Sequence, residues 1–190
     1  MRNIAIFASG SGTNAENIIR YFSNEKAARV ALVLSNKREA YVLKRAEALE
    51  TDSIFFDRDD LYKTGRVLEY LENYRIDFIV LAGFLWLIPD PILGRYVSRI
   101  VNIHPALLPK YGGKGMYGDR VHKTVLENRE TESGITIHYV NRNYDEGDII
   151  FQARCAIAAD DTPASLAEKV HALEYSNYPV VVKELIQKLP

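Results

Sequence analysis

Asn102 and His104 stand two residues apart in Val101-Asn102-Ile103-His104-Pro105. On an extended strand that spacing points both side chains to one face, while Val101 and Ile103 pack the other way. The amide offers two N–H donors to a developing oxyanion, and an imidazole exchanges protons near neutral pH. Such a pair suits acyl transfer. Taken singly, each has a plainer reading, His104 as a hydrogen-bonded structural imidazole and Asn102 as a turn former. A carboxylate is the natural third member. Asp145, in the polar turn Asn141-Arg142-Asn143-Tyr144-Asp145-Glu146-Gly147-Asp148, can orient His104 and stabilise its charge if the fold brings the two together; otherwise it is a solvated turn acid.

A second constellation is Phe7-Ala8-Ser9-Gly10-Ser11-Gly12-Thr13-Asn14-Ala15. Gly10, Gly12 and Ala15 keep the G-x-G-x-x-G/A spacing, in which small residues allow a tight turn and let a phosphate approach a helix N-terminus. A dinucleotide site would add an acidic residue after the second strand. Ser35-Asn36-Lys37-Arg38 stands there instead, which disfavours NAD and leaves NADP open. No Gly-Lys-Ser/Thr follows for a Walker loop, and a turn without a ligand is the alternative. Metal sites find no support. Glu146 stands where a calcium loop needs Gly, Gln152 stands where it needs Glu, and His104, His122, His138 and His171 lack zinc-site spacing.

The elements that must position these groups alternate. Short apolar runs, Ile4–Ala8, Val30–Leu34, Ser53–Phe56, Phe78–Ala82 and Ile100–Ile103, read as strands buried on both faces. Between them Asn14–Phe22, Tyr41–Leu49 and Leu61–Tyr74 repeat apolar residues three or four apart, as helices do. Alternation of this kind predicts an α/β fold, an open, mostly parallel twisted sheet with helices on both faces. Ile135, Ile137 and Tyr139 then alternate with polar or smaller residues, and Asp148 to Ile157 reads as a further strand, so an antiparallel addition is expected in the C-terminal half. Thr162-Pro163 starts a last helix with its stripe Leu166, Val170 and Leu173, and Pro179 predicts a kink or restart within it.

Composition narrows the setting. The chain has 190 residues, the length of one domain, so a single catalytic domain over 1–190 is expected. Lys and Arg number 24 against 25 Asp and Glu, which leaves no general attraction to nucleic acid or an anionic membrane, so any phosphate must be bound locally. Cys155 is the one cysteine and the longest apolar run, Phe78 to Ile88, is far short of a membrane span, so a cytoplasmic protein with no membrane partner is expected.

Three segments in matching order, "NIAIFASGSGTNAENII", "NIHPALLPKY" and "GITIHYVNRNYDEGDIIFQARCAI", resemble the phosphoribosylglycinamide formyltransferase family (glycinamide ribonucleotide transformylases), from about Asn3 to Ile186. The resemblance implies a Rossmann-like formyltransferase fold and transfer of the formyl group of 10-formyltetrahydrofolate, a co-substrate, to the amino group of glycinamide ribonucleotide in purine biosynthesis. No covalent enzyme intermediate and no metal are implied. Asn102, His104 and Asp145 would be the catalytic trio, with Asn102 and protonated His104 stabilising the oxyanion and Asp145 orienting His104 and assisting proton movement. Gly12, Thr13 and Asn14 match the family's phosphate-binding loop and Glu174 its contact to the acceptor. Leu85, Trp86, Leu87 and Ile88 stand where the family lines the pterin cleft, with Asn141, Arg142, Asn143, Tyr144 and Asp145 closing it; His138 matches a position behind the catalytic groups.

Departures from the family pattern are local. The pterin segment, Met-Arg-Ile-Leu in relatives, is Leu85-Trp86-Leu87-Ile88, which exchanges a cation for an aromatic surface. A basic folate contact upstream finds its nearest match in Arg58. Between Tyr111 and His122 the chain is about five residues longer, and Gly112, Gly113, Gly115 and Gly118 make a mobile loop there, a cover for the site or an embellishment. Methionyl-tRNA formyltransferases and formylfolate deformylases share the central motif but carry an added domain, for which 190 residues leave no room. A non-enzymatic nucleotide-binding module is the reading outside catalysis.

Overall fold

A computed structural model describes residues 1–190. In chain order the elements are β1 (Arg2–Phe7), α1 (Thr13–Ser23), β2 (Ala28–Ser35), α2 (Tyr41–Ala48), β3 (Ser53–Phe55), α3 (Arg58–Tyr62) and α4 (Arg66–Asn73). They continue with β4 (Phe78–Leu81), α5 (Asp90–Arg95), β5 (Ile100–His104), α6 (Asp119–Glu127), β6 (Glu132–Tyr139), β7 (Ile149–Ala156) and α7 (Pro163–Gln187). All seven strands share one sheet in the order β3-β2-β1-β4-β5-β6-β7. Pairing is parallel from β3 through β5, and antiparallel between β5 and β6 and between β6 and β7. The expected mostly parallel sheet with an antiparallel addition is what forms.

Alternation along β1 separates two apolar cores. Ile4 and Ile6 pack with Ile18 and Phe22 of α1 and Leu166, Val170 and Val182 of α7. Ala5 and Phe7 pack on the opposite face with Phe56 and with Val67 and Leu71 of α4. The winding reverses beside β1, whose neighbours are β2 and β4. A reversal of this kind opens a crevice beyond the carboxyl ends of the central strands, where ligands of such sheets bind. Tyr178 braces that edge from α7: its fully buried hydroxyl donates to the carbonyl of Leu81 at 2.9 Å, at the end of β4.

The structure corrects one helix expectation and narrows another. Leu61–Tyr74 is not one helix but parts of α3 and α4. Asp57 and Asp60 form a reciprocal cap at the start of α3, and Gly65, at φ +76°, restarts the chain into α4. No restart occurs at Pro179, and α7 is continuous from Pro163 to Gln187. Proline leaves the carbonyl of Tyr175 without its helical donor, and Nδ2 of Asn17, from α1, supplies one at 2.9 Å. Helices α5 and α6 were not expected.

Candidate active site

A cavity of about 540 Å³ opens at the carboxyl ends of β1, β4 and β5, within the range that holds a small organic ligand. Asn102 and His104 both face it from β5, as their spacing requires. The β6–β7 hairpin returns Asp145 to them. Asp145 Oδ2 lies 3.4 Å from His104 Nδ1, and Asp145 Oδ1 lies 3.4 Å from Asn102 Nδ2. Asp145 adopts φ +58°, a left-handed conformation that Asp tolerates better than most side chains. Three residues from separate parts of the chain thus converge.

The register of β5 against β6 sets His138 opposite Asn102. Nδ1 of His138 lies 2.9 Å from the carbonyl of Tyr139, which can only accept, so Nδ1 carries the hydrogen and Nε2 is an acceptor. Nε2 is 3.1 Å from Asn102 Nδ2 and 3.6 Å from Asp145 Oδ1, and the amide of Asn102 is its donor. The orientation of that amide follows, with its N–H groups toward His138 and Asp145.

Burial decides the charge of the pair. His104 is 3% exposed, and desolvation pushes its pKa below the ordinary 6.5, against the upward pull of Asp145 and the Tyr111 carbonyl. For Asp145 burial acts upward, but His138, His104 and the Gly113 N–H together outweigh it and hold the carboxyl below its ordinary value. Near neutral pH the site therefore rests as a neutral imidazole beside a carboxylate.

At the other end of the cavity lie Gly12, Thr13 and Asn14, at the start of α1. Gly12 sits at φ +77°, and a Cβ on it would come within 2.4 Å of Val42, so only glycine fits the turn. Glu174 of α7, 5% exposed, accepts from Asn14 Nδ2 at 2.8 Å, and burial raises its pKa. Two histidines of the wall were not anticipated. His171 precedes Glu174 by three positions, one helical turn, a signal available in the α7 pattern. His122 of α6 is 2% exposed, and its Nδ1 has no hydrogen-bond partner.

The segments matched to the pterin cleft divide. Leu85 and Tyr144 line the cavity, and the Tyr144 hydroxyl donates to the Leu85 carbonyl at 3.4 Å. Arg142 joins the same loop to α5 through Asp90 at 2.8 Å. The two segments therefore face each other. Trp86, Leu87 and Ile88 do not line this cavity. Trp86 meets Phe56 and Phe84 edge-on, with the Arg58 guanidinium 5.7 Å from its ring; Leu87 offers its carbonyl to Tyr62; Ile88 is core. Asn141 and Asn143 bond within their own turn, Asn141 Oδ1 accepting from the Asn143 N–H and Asn143 donating to Glu146. The glycine-rich stretch is part of the site: Gly113 to Gly118 form one wall. No group of three or more His, Cys, Asp or Glu is arranged to hold a metal ion, and no helix is long and apolar enough to cross a membrane.

Residues 2–182 match a family model described as formyl transferase. The chain is 35% identical to the phosphoribosylglycinamide formyltransferase of Bacillus subtilis, over 98% of this chain and 95% of that one. It is 37% identical to a chloroplastic enzyme of the same name from Arabidopsis thaliana over 98% of this chain, and spans 66% of that protein's length. Among solved structures, the phosphoribosylglycinamide formyltransferase of Anaplasma phagocytophilum superposes with a TM-score of 0.90 at 30% identity, covering 98% of this chain and 87% of that one. The Bacillus halodurans structure of the same name gives 0.87 at 36% identity, covering 98% and 96%.

Proposed function

This chain belongs to the formyl transferase family, and from that membership we propose that it transfers a formyl group from 10-formyltetrahydrofolate to the amino group of glycinamide ribonucleotide. The convergence of Asn102, His104 and Asp145 at one end of a cavity whose other end is the Gly12–Asn14 turn carries this reading. The turn and the N-terminus of α1 would hold the acceptor's phosphate, and Glu174 would add a further contact to the acceptor. Leu85 and Tyr144 would border the pterin, with the Trp86–Ile88 backbone and the Asn141–Asp145 loop behind them and Arg58 further out. The whole chain would serve this one activity as a single catalytic domain, in the cytoplasm, with small molecules rather than nucleic acid or membrane as its partners.

Catalysis then follows from the resting charges. The acceptor nitrogen forms a bond to the formyl carbon, and the carbonyl electrons pass to oxygen. The Asn102 N–H that rests on the long 3.4 Å contact to Asp145 Oδ1 turns to donate to that oxyanion, while the other stays on His138. Neutral His104 takes the proton that the attacking nitrogen sheds. The imidazolium so formed is stabilised by Asp145 and adds its charge to the oxyanion's support. Collapse breaks the bond to folate N10, and the electron pair on that nitrogen takes the proton back from His104. The groups present need no covalent enzyme intermediate.

The test is to incubate the purified protein with folate carrying a ¹³C-labelled formyl group and with glycinamide ribonucleotide. Label in the acceptor's new amide is the expected result; label released only as formate would refute the transfer.

A further inference from the structure

Resting on that reading, we infer that Arg45 of α2 is a positioning residue for the acceptor's phosphate, because it aims the N–H groups of the glycine turn and pairs the carboxylate beside them. Arg45 Nε donates to the carbonyl of Ser11 at 2.9 Å. Three residues earlier on α2, the Val42 N–H donates to the carbonyl of Gly10 at 3.2 Å. A trans peptide sets its C=O and its N–H on opposite sides. The Gly10 carbonyl shares a peptide with the Ser11 N–H, and the Ser11 carbonyl shares one with the Gly12 N–H. With both carbonyls turned to α2, both N–H groups point away from it. Ser11 and Gly12 line the cavity, whereas Val42 and Arg45 do not. Neither N–H has a partner within the chain. The turn therefore presents two free donors to an anion, next to the N-terminus of α1.

The guanidinium is itself held for this role. Tyr41, four residues earlier and so one helical turn away, places its ring centre 4.9 Å from Arg45 Cζ. Val42, whose N–H holds Gly10, is also the side chain that closes on Gly12, so one stretch of α2 fixes both the fold of the turn and the direction of its carbonyls. Upstream, the Ser9 hydroxyl donates to Asn36 Oδ1 at 2.7 Å and accepts from the Leu85 N–H at 3.1 Å, which fixes the chain's entry. Charge is the second part of the role. Glu16 stands in the first turn of α1, where its negative charge opposes a bound anion. Arg45 Nη1 donates to Glu16 Oε2, and Arg20 donates to Oε1 from Nε at 2.9 Å and from Nη2 at 2.8 Å. Both oxygens of that carboxylate are thus engaged by guanidinium groups, and the phosphate is spared its repulsion.

Ribose 5-phosphate is the probe, read in ¹H–¹⁵N spectra of labelled protein. In the wild-type chain the Ser11 and Gly12 amide signals should shift saturably as it is added; signals that do not respond overturn the proposal. Arg45→Met should weaken this binding about tenfold and raise the KM for glycinamide ribonucleotide by a similar factor, with kcat and the folate KM within about twofold of wild type. If that variant does not fold, Arg45→Lys keeps a charge but cannot hold Ser11 and Glu16 together, and should weaken the same binding about threefold. A folded variant that binds ribose 5-phosphate as the wild-type chain does overturns the proposal. So does one that loses kcat and folate binding as much as acceptor binding, because Arg45 would then support the fold at large. Amide signals that respond and depend on Arg45, in a protein that passes no formyl group to glycinamide ribonucleotide, would leave Arg45 its role and refute the assigned reaction instead.

Discussion

His138 holds the Asn102 amide from behind, its Nε2 3.1 Å from Asn102 Nδ2 and its Nδ1 committed to the Tyr139 carbonyl. Because the ring presents only an acceptor there, it selects the amide orientation that turns Nδ2 to His138 and leaves the second N–H on the longer, 3.4 Å contact to Asp145, from which it can turn to a developing oxyanion. His138→Ala should leave the fold intact and lower kcat by roughly 10- to 10²-fold, with a lesser change in KM. Steady-state kinetics on the variant checks this, and an unchanged kcat would remove His138 from the account.

The pH profile follows from the charges. His104 works as a base only when neutral, and burial lowers its pKa, so the acid limb of kcat should lie below 6.5 and the rate should be flat through neutral pH. Asp145 raises the His104 pKa. Asp145→Asn should therefore shift the limb further toward acid while lowering the plateau. A limb that moves toward alkaline pH would contradict this electrostatic order.

Glu174 gives a stability signature of its own. Burial raises its carboxyl pKa above that of the unfolded chain, so its stabilising contribution is full below the unfolded value and is lost as pH rises through the folded one. Glu174→Gln keeps an acceptor for Asn14 and removes the ionisation. Melting curves should show the variant gaining on the wild-type chain as pH rises from acid to neutral, even as it binds the acceptor less tightly.

Asn17→Ala should cost about 1 kcal/mol, because the Tyr175 carbonyl freed by Pro179 loses its donor at 2.9 Å. Chemical denaturation reads that loss. Turnover should persist, since Asn17 lies outside the cavity wall.

What could be read from the chain before folding was what is local. A two-residue spacing on a strand put Asn102 and His104 on one face, and short β-branched runs between helical stripes gave the parallel sheet. The break between α3 and α4 was written in Asp57, Asp60 and Gly65, but the apolar stripe ran across it and masked the caps. That α7 continues through Pro179 could not be read locally, because Asn17, the donor to the freed Tyr175 carbonyl, is 158 residues from it in sequence. Asp145 was recognisable only through the family resemblance, since nothing local ties a turn acid to a strand 40-odd residues earlier; the hydrogen bond from Asn102 spans 43 positions. The contacts of Tyr111 and Gly113 had no side-chain signal at all, because backbone atoms make them.

The most direct measurement compares formyl transfer to glycinamide ribonucleotide by the wild-type protein and by Asn102→Ala under single-turnover conditions, with substrate binding measured separately. If the amide supports the oxyanion, transfer slows by roughly 10²- to 10³-fold while both substrates still bind. Transfer at the wild-type rate in the variant would contradict the site assigned here.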